Sequence, residues 1–163
     1  MQQGRVIGVY IAPDSGDPME SKPEVEAVAN RGLRGDRYFD NNGLWNLLDQ
    51  DPDRDVKGAS DVTFIETEAI AAATDAIKTT IEPGAHRRNI TTEGVALNHL
   101  VGERFTVGEV VCEGIELCEP CGYMQSLIGE SELSAALVHR GGLNASIVTS
   151  GTISADDEIR WDV

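Results

Sequence analysis

The segment "ERFTVGEVVCEGIEL", residues 103–117, says most about the fold. Short apolar runs alternate there with polar residues, and glycine interrupts them after a few positions. The C-terminal stretch "NASIVTSGTISADDEIRWDV", residues 144–163, has the same pattern. Such spacing is typical of short strands joined by tight turns, and it therefore predicts an antiparallel meander.

Further strands and a few helices are predicted upstream and between these stretches. The predicted strands are residues 4–12, 24–29 and 61–65, with a short β-prone segment at residues 87–92. One strong helix is predicted at residues 66–81, ended by Pro83-Gly84, and shorter ones at residues 97–102, 121–129 and 131–142. Residues 44–60 are predicted to be a mobile loop.

Many short strands with few helices, and no alternation of strand and helix, are typical of a mainly β protein. We therefore expect an antiparallel β-barrel with a few short helices inserted. The chain has 163 residues without a repeat or a linker, which predicts a single domain over residues 1–163.

The composition excludes several classes of partner. The net charge is −15, from 28 acidic and 13 basic residues, so binding to nucleic acid or to an anionic membrane surface is not expected. The chain has no apolar run long enough to span a bilayer and no signal peptide pattern, which favours a cytoplasmic protein. Lysine is rare beside arginine, and this suggests a halophilic protein, since high salt screens the self-repulsion.

The arginines concentrate in loops that contain glycine. Arg31, Arg34 and Arg37 share "NRGLRGDRY", and Arg87-Arg88 lie in "GAHRRNITTEG". Glycine permits close approach of the backbone to a ligand, and the planar guanidinium suits phosphate oxygens. The pattern favours a pocket for a phosphorylated anion, with pairing to surface carboxylates as the alternative.

The segment "LCEPCGYMQSLIG", residues 117–129, holds two of the three cysteines. An odd number of cysteines argues against a disulfide framework. Cys118 and Cys121 have zinc-like spacing, but no second such pair supplies the remaining ligands. A redox pair, two buried inert thiols, and a reactive or metal-ligating thiolate at a helix start near Pro120 stay open as alternatives.

The other candidate side chains have simpler interpretations. Cys112 lies in an alternating strand pattern and is expected in the core. His86 would either assist the arginine pocket or lie in a surface loop. His99 is expected to be a packing residue, and His139 to lie at a helix end.

Several segments together resemble the MOSC family, the domain related to the C-terminal part of molybdenum cofactor sulfurases. They are "GLRGDRYF", "DVTFIETEAI", "HRRNITTEGVALNHLVGERFTVGEVVCEG", "LCEPCGYMQSLIG" and "GGLNASIVTSGTISADDEI", in the order of the family. The resemblance implies a stand-alone β-barrel that binds molybdenum cofactor, a phosphorylated pterin dithiolene also called molybdopterin.

The resemblance also implies roles for individual residues. The family's Pro-Cys pair falls on Pro120-Cys121, which makes Cys121 the catalytic residue and molybdenum ligand, with Cys118 as second choice. The cofactor-binding residues would be Arg34, Gly35, Asp36, Arg37, Tyr38, Arg87, Arg88 and Asn89.

Two functions follow from these implied roles. The first is a molybdenum-dependent oxidoreductase that reduces small N-hydroxylated compounds and takes electrons from an external donor protein. The alternative is a sulfur or cofactor carrier that holds a persulfide on Cys121, without turnover, and depends on a sulfur donor protein.

Overall fold

The computed structural model describes residues 1–39, 61–118 and 132–162. The predicted mobile loop at residues 44–60, the predicted helix at residues 121–129 and Cys121 therefore lie outside the described residues. In the described parts, the strands are β1 Gln2–Ile11, β2 Glu20–Lys22, β3 Glu24–Val28, β4 Gly32–Leu33, β5 Val62–Glu66, β6 Ile90–Glu93, β7 Arg104–Val107, β8 Val110–Leu117, β9 Leu143–Thr149, β10 Gly151–Ser154 and β11 Glu158–Trp161. The α-helices there are α1 Thr67–Ile77 and α2 Leu133–Ala136, with a 3₁₀ helix at Leu97–Leu100.

Seven of the described strands close into a barrel. Their order is β11-β7-β8-β9-β5-β6-β1, and β1 returns to pair with β11, with Gln2 opposite Trp161. The short strand β2 continues from β1, and β10, β3 and β4 form a separate three-stranded sheet. The predicted mainly β barrel is thereby confirmed, and the antiparallel pairing predicted within residues 103–117 is observed as a hairpin of β7 and β8.

One pair of strands departs from the predicted antiparallel pattern. Strands β5 and β6 are parallel, with Phe64 opposite Ile90. Helix α1 carries the chain from the end of β5 back to the start of β6, and such a crossover makes the two strands run in the same direction. The expectation that strand and helix do not alternate is therefore wrong at this one unit.

Helix α1 is also shorter than predicted. It ends at Ile77, because Lys78 adopts a left-handed conformation with φ of 58°, well before Pro83-Gly84. Its buried face, at Ala69 and Ala73, covers the outside of the barrel, and Ala73 packs in a small cluster with α2. Helix α2 covers only part of the predicted residues 131–142.

The barrel interior is filled by the inward-facing side chains of alternating strand positions. In β8, Val110, Cys112 and Gly114 are buried, whereas the residues between them are partly exposed. The rings of Phe64 and Phe105 meet edge to face with centroids 5.4 Å apart across this interior. The predicted core position of Cys112 is thus confirmed, and burial, followed by the nearby Asp61 carboxylate, raises the pKa of its thiol to about 12.

No helix within the described ranges has the length and apolar character that crossing a bilayer requires.

Candidate functional site

The barrel brings three distant segments together beside the end of β8. They are the turn after β4, the loop that leads into β6, and Cys118, which directly follows β8. We call the following set of side chains the arginine–cysteine cluster: Asp36, Arg37, Tyr38, Arg87, Arg88 and Cys118. Most of the residues predicted to bind a cofactor therefore lie in one region.

Arg88 is one of two deeply buried arginines of the cluster, and only 6% of its surface is exposed. Its Nε donates to the carbonyl oxygen of Gly141 at 2.9 Å, and Nη2 donates to that of Cys118 at 3.1 Å. Nη1 donates to the carbonyl oxygen of His86 at 3.2 Å. The guanidinium thus joins three separate parts of the backbone.

Arg37 forms a second buried centre of charge. Its Nη1 lies 3.1 Å from the Asp36 Oδ1 atom and 3.4 Å from the sulfur of Met19, while Nη2 donates to the carbonyl oxygen of Arg87. Asp36 also accepts from the backbone N–H of Ala12 at 3.1 Å. Burial raises the pKa of this carboxyl, and the Arg37 charge opposes the increase.

Tyr38 and Arg87 complete the polar side of the cluster. The Arg37 guanidinium lies 4.7 Å from the centre of the Tyr38 ring, within the range of a cation–π contact. Burial raises the pKa of Tyr38, Arg37 lowers it, and Asp36 and Cys118 raise it, so the phenol has charged groups on several sides. Arg87 is half-buried, and its Nη1 donates to the carbonyl oxygen of Asp17 at 2.7 Å.

Asn89 is buried in the barrel wall next to the cluster. Its Oδ1 accepts from both the backbone N–H and the hydroxyl of Thr63, at 3.1 and 3.0 Å, and Nδ2 donates to the carbonyl oxygen of Tyr10. Its backbone N–H donates in turn to the Thr63 hydroxyl at 2.9 Å. The side chain therefore joins β1, β5 and the start of β6.

His86 lies beneath the cluster and is 2% exposed, so the surface-loop interpretation is wrong. Its Nδ1 accepts the backbone N–H of Arg88 at 2.9 Å, and its ring meets Tyr10 edge to face at 5.7 Å. Burial lowers the pKa of His86 to about 3, and the charge of Arg88 acts in the same direction. The imidazole is neutral at physiological pH and supports the loop as a hydrogen-bond acceptor.

Two predicted residues lie at the outer edge of the turn. Arg34 is exposed, its Nε lies 2.6 Å from an oxygen of Glu26, and its guanidinium lies 5.1 Å from the centre of the Phe39 ring. Gly35 is also exposed and precedes the buried Asp36. The surface pairing that the sequence left open therefore describes Arg34, whereas Arg37, three residues later, turns inward.

The cysteines occupy different surroundings. Cys118 is half-buried, and its backbone N–H donates to the carbonyl oxygen of Gly142 at 2.7 Å. Cys121 and any ligand set that includes it lie outside the described residues. Within the described ranges no group of three or more His, Cys, Asp or Glu side chains could hold a metal ion. His99 is exposed, so its predicted role as a packing residue is wrong.

Sequence reasoning missed the backbone acceptors of the cluster. The carbonyl oxygens of Asp17, Gly141 and Gly142 hold Arg87, Arg88 and the Cys118 N–H. A carbonyl group is common to every residue, so no residue type marks it in a sequence. In the sequence, the pair Gly141-Gly142 directly after Arg140 is the signal that could have marked two of these acceptors.

Comparison with protein families identifies the class to which the chain belongs. The MOSC domain model matches residues 51–160, which is more than half of the chain. The chain therefore belongs to the MOSC domain family, and the predicted membership is confirmed. A comparison with curated protein sequences gives no significant match.

Solved structures of low sequence identity share the fold. YuaD from Bacillus subtilis aligns with a TM-score of 0.79 at 17% identity, over 96% of this chain and 94% of that one. YiiM from Escherichia coli aligns at 0.68 and 16% identity, over 100% of this chain and 71% of that one. YiiM from Geobacillus stearothermophilus aligns at 0.72 and 9% identity, over 98% and 75% of the two chains.

Proposed function

We propose that this MOSC protein binds molybdenum cofactor and acts as an oxidoreductase on N-hydroxylated compounds. One observation carries the proposal: Arg37 donates to the backbone carbonyl group of Arg87, and the next residue, Arg88, donates to that of Cys118, which precedes Cys121 by three positions in the sequence. A chain with a net charge of −15 has few cations, so three arginines within one network of contacts favour an anionic ligand.

The chemistry of these donors fits a ligand with two different ends. Guanidinium groups bind phosphate oxygens through paired hydrogen bonds, which suits the phosphorylated end of a pterin cofactor. A cysteine thiolate is a soft ligand, which suits the metal end. Arg88 and Cys118, one residue of each kind, are in contact, because the carbonyl oxygen of Cys118 accepts a hydrogen bond from Arg88.

The residues of the cluster would divide these tasks. Arg87 and Arg37 would bind the phosphate, and Asp36 would hold Arg37 in place through their 3.1 Å contact. Tyr38 stays protonated because burial raises its pKa, so its hydroxyl can donate a hydrogen bond. Cys121 would ligate the metal, and the bound cofactor would supply two-electron oxygen-atom chemistry.

The overall reaction needs a partner beyond the small-molecule substrate. Reduction of a hydroxylamine-type N–O bond consumes two electrons and two protons, leaves the amine, and releases the oxygen as water. The electrons would come from an external donor protein. The cytoplasmic location and the adaptation to high salt remain predictions from composition.

A carrier is the second candidate function. Cys118 is a second, half-buried thiol three residues before Cys121. Attack of its thiolate on the inner sulfur of a Cys121 persulfide would form a Cys118–Cys121 disulfide and release hydrosulfide, and an external thiol would then reduce the disulfide. This protein would receive sulfur from a donor protein and pass on sulfur or cofactor without turnover.

Purification from cells that make the cofactor tests both functions. Molybdenum content and reduction of an N-hydroxylated compound with an artificial electron donor are measured for the natural sequence, Cys121→Ser and Cys118→Ser. Turnover that is lost in Cys121→Ser and retained in Cys118→Ser supports the enzyme. Molybdenum without turnover, together with a trapped Cys121 persulfide, supports the carrier, and absence of molybdenum from protein that contains zinc rejects both.

Substitution of the arginines tests the binding assignment separately. Arg37→Ala and Arg87→Ala should each lower the amount of molybdenum that remains bound after dialysis. The control is Arg104→Ala, because Arg104 is exposed on β7 and pairs with Glu113 at 3.0 Å, away from the cluster. Equal retention in all three variants would remove the phosphate-binding role.

A further inference from the structure

The side chain of Arg88 connects parts of the chain that are far apart in sequence. Its three nitrogens donate to the carbonyl oxygens of His86, Cys118 and Gly141, at distances between 2.9 and 3.2 Å. The two more distant acceptors are separated from Arg88 by 30 and 53 positions. Each of these bonds has a charged donor, which makes it stronger than a bond between neutral groups.

Both the N–H and the C=O group of Cys118 form hydrogen bonds. Its N–H donates to the carbonyl oxygen of Gly142 at 2.7 Å, and its C=O accepts from Arg88 at 3.1 Å. The acceptors Gly141 and Gly142 are adjacent and precede β9, which pairs with β8. The last described residue before Cys121 is thus fixed by two hydrogen bonds, one that it donates and one that it accepts.

We infer that Arg88 is a positioning residue for Cys118 at the end of β8, in addition to any contact it makes with a ligand. It fixes Cys118, the residue with which the chain leaves β8 and which precedes Cys121 by three positions in the sequence. Lysine could not replace it fully, because one ammonium group cannot match a planar fork directed at three separate carbonyl groups. This inference rests on the proposed function only in taking Cys118 as a neighbour of the reactive thiol.

The test uses the full-length chain purified without cofactor. Arg88→Met, Arg88→Lys and the exposed control Arg104→Met are compared by residue-resolved amide hydrogen exchange and by iodoacetamide labelling of each cysteine. Exchange at the Cys118 amide should become on the order of tenfold faster in Arg88→Met. The reason is that loss of the charge-assisted bond to the Cys118 carbonyl group lets this residue separate more often from Gly142. Arg88→Lys should recover part of this protection, and the labelling rates of Cys118 and Cys121 should shift with it.

Two groups report whether the barrel itself stays intact. Cys112 is fully buried and should label slowly in all variants, and the Ile147 amide, bonded to Asp61 at 2.9 Å, should keep its protection. Unchanged exchange at Cys118 in both Arg88 variants would overturn the inference. Rapid labelling of Cys112 in Arg88→Lys would overturn it as well, because Arg88 would then stabilise the whole barrel rather than one segment.

None of these measurements involves molybdenum. Protein from cells that make the cofactor rejects the proposed function if it contains zinc and no molybdenum, whereas an unaltered Cys118 amide rejects the positioning role.

Discussion

Gly142 is the position at which a single methyl group should disturb both the barrel and the cluster. A Cβ atom there would lie 2.0 Å from the carbonyl oxygen of Phe64, and the residue has a φ of +113°. Its own carbonyl oxygen accepts the N–H of Cys118. Gly142→Ala must therefore push the start of β9 away from β5 while it strains the backbone.

The size of the effect can be worked out from its two causes. A left-handed conformation costs an ordinary residue about 1–2 kcal/mol. Ordinary contact begins at 3.4 Å, so the Phe64 oxygen must move by more than 1 Å, and such overpacking typically costs about 1–3 kcal/mol. Together these terms predict a loss of about 2–5 kcal/mol, a large part of the roughly 5–15 kcal/mol of a typical domain.

Two other glycines separate these causes. Gly102 has a φ of +80°, and no atom lies within 4 Å of the place that a methyl group would take, so Gly102→Ala measures the backbone strain alone. Gly114 has no positive φ, but its Cβ would lie 2.0 Å from the carbonyl oxygen of Leu100, so Gly114→Ala measures the contact alone. Urea unfolding of the three variants gives each free energy of unfolding. The reasoning is refuted if Gly142→Ala is no less stable than Gly102→Ala.

Three further predictions concern pH, a buried amide and salt. Because the pKa of His86 falls from 6.5 to about 3 on folding, the unfolded chain alone binds that proton between these values. The free energy of unfolding should therefore fall as the pH decreases between these values. Urea unfolding at several pH values should give His86→Gln a smaller change per pH unit than the natural sequence, by up to about 1.4 kcal/mol. Equal pH dependence of the two proteins would contradict this. Asn89→Ala should lose about 2–4 kcal/mol, since three side-chain hydrogen bonds to Thr63 and Tyr10 disappear, and an unchanged urea midpoint would exclude that role. Stability should increase with potassium chloride because of the net charge of −15, whereas full stability in salt-free buffer would count against it.

The strands could be predicted from the sequence because their signal is local. The hairpin of β7 and β8 needs only alternating residues and a two-residue turn at Gly108 and Glu109, all within one short stretch. The parallel pairing of β5 with β6 has no such signal. It results from the crossover through α1 and from closure of the barrel, which depend on how the whole chain packs.

The loops that form the cluster could be predicted from the sequence, but the directions of their side chains could not. Glycine and arginine together marked the turn at residues 30–38, but not which arginine enters the protein. Arg34 meets Glu26 at the surface and Arg37 meets Asp36 inside, because side-chain directions in an irregular turn follow its backbone angles and not a period. The burial of His86 likewise depends on Tyr10, a residue of another strand.

Arg88 and Arg37 have different hydrogen-bond partners, and this gives them different roles in the cluster. The Arg88 guanidinium donates hydrogen bonds to three backbone carbonyl groups, so its replacement should first change the position of Cys118. Arg37 is paired with a carboxylate whose own burial raises its pKa, so an anionic ligand would compete with Asp36 for the same guanidinium. Loss of Arg37 should therefore alter ligand retention and leave Cys118 in place, whereas loss of Arg88 should alter Cys118 even without a ligand. The two substitutions thus distinguish binding from positioning within one cluster.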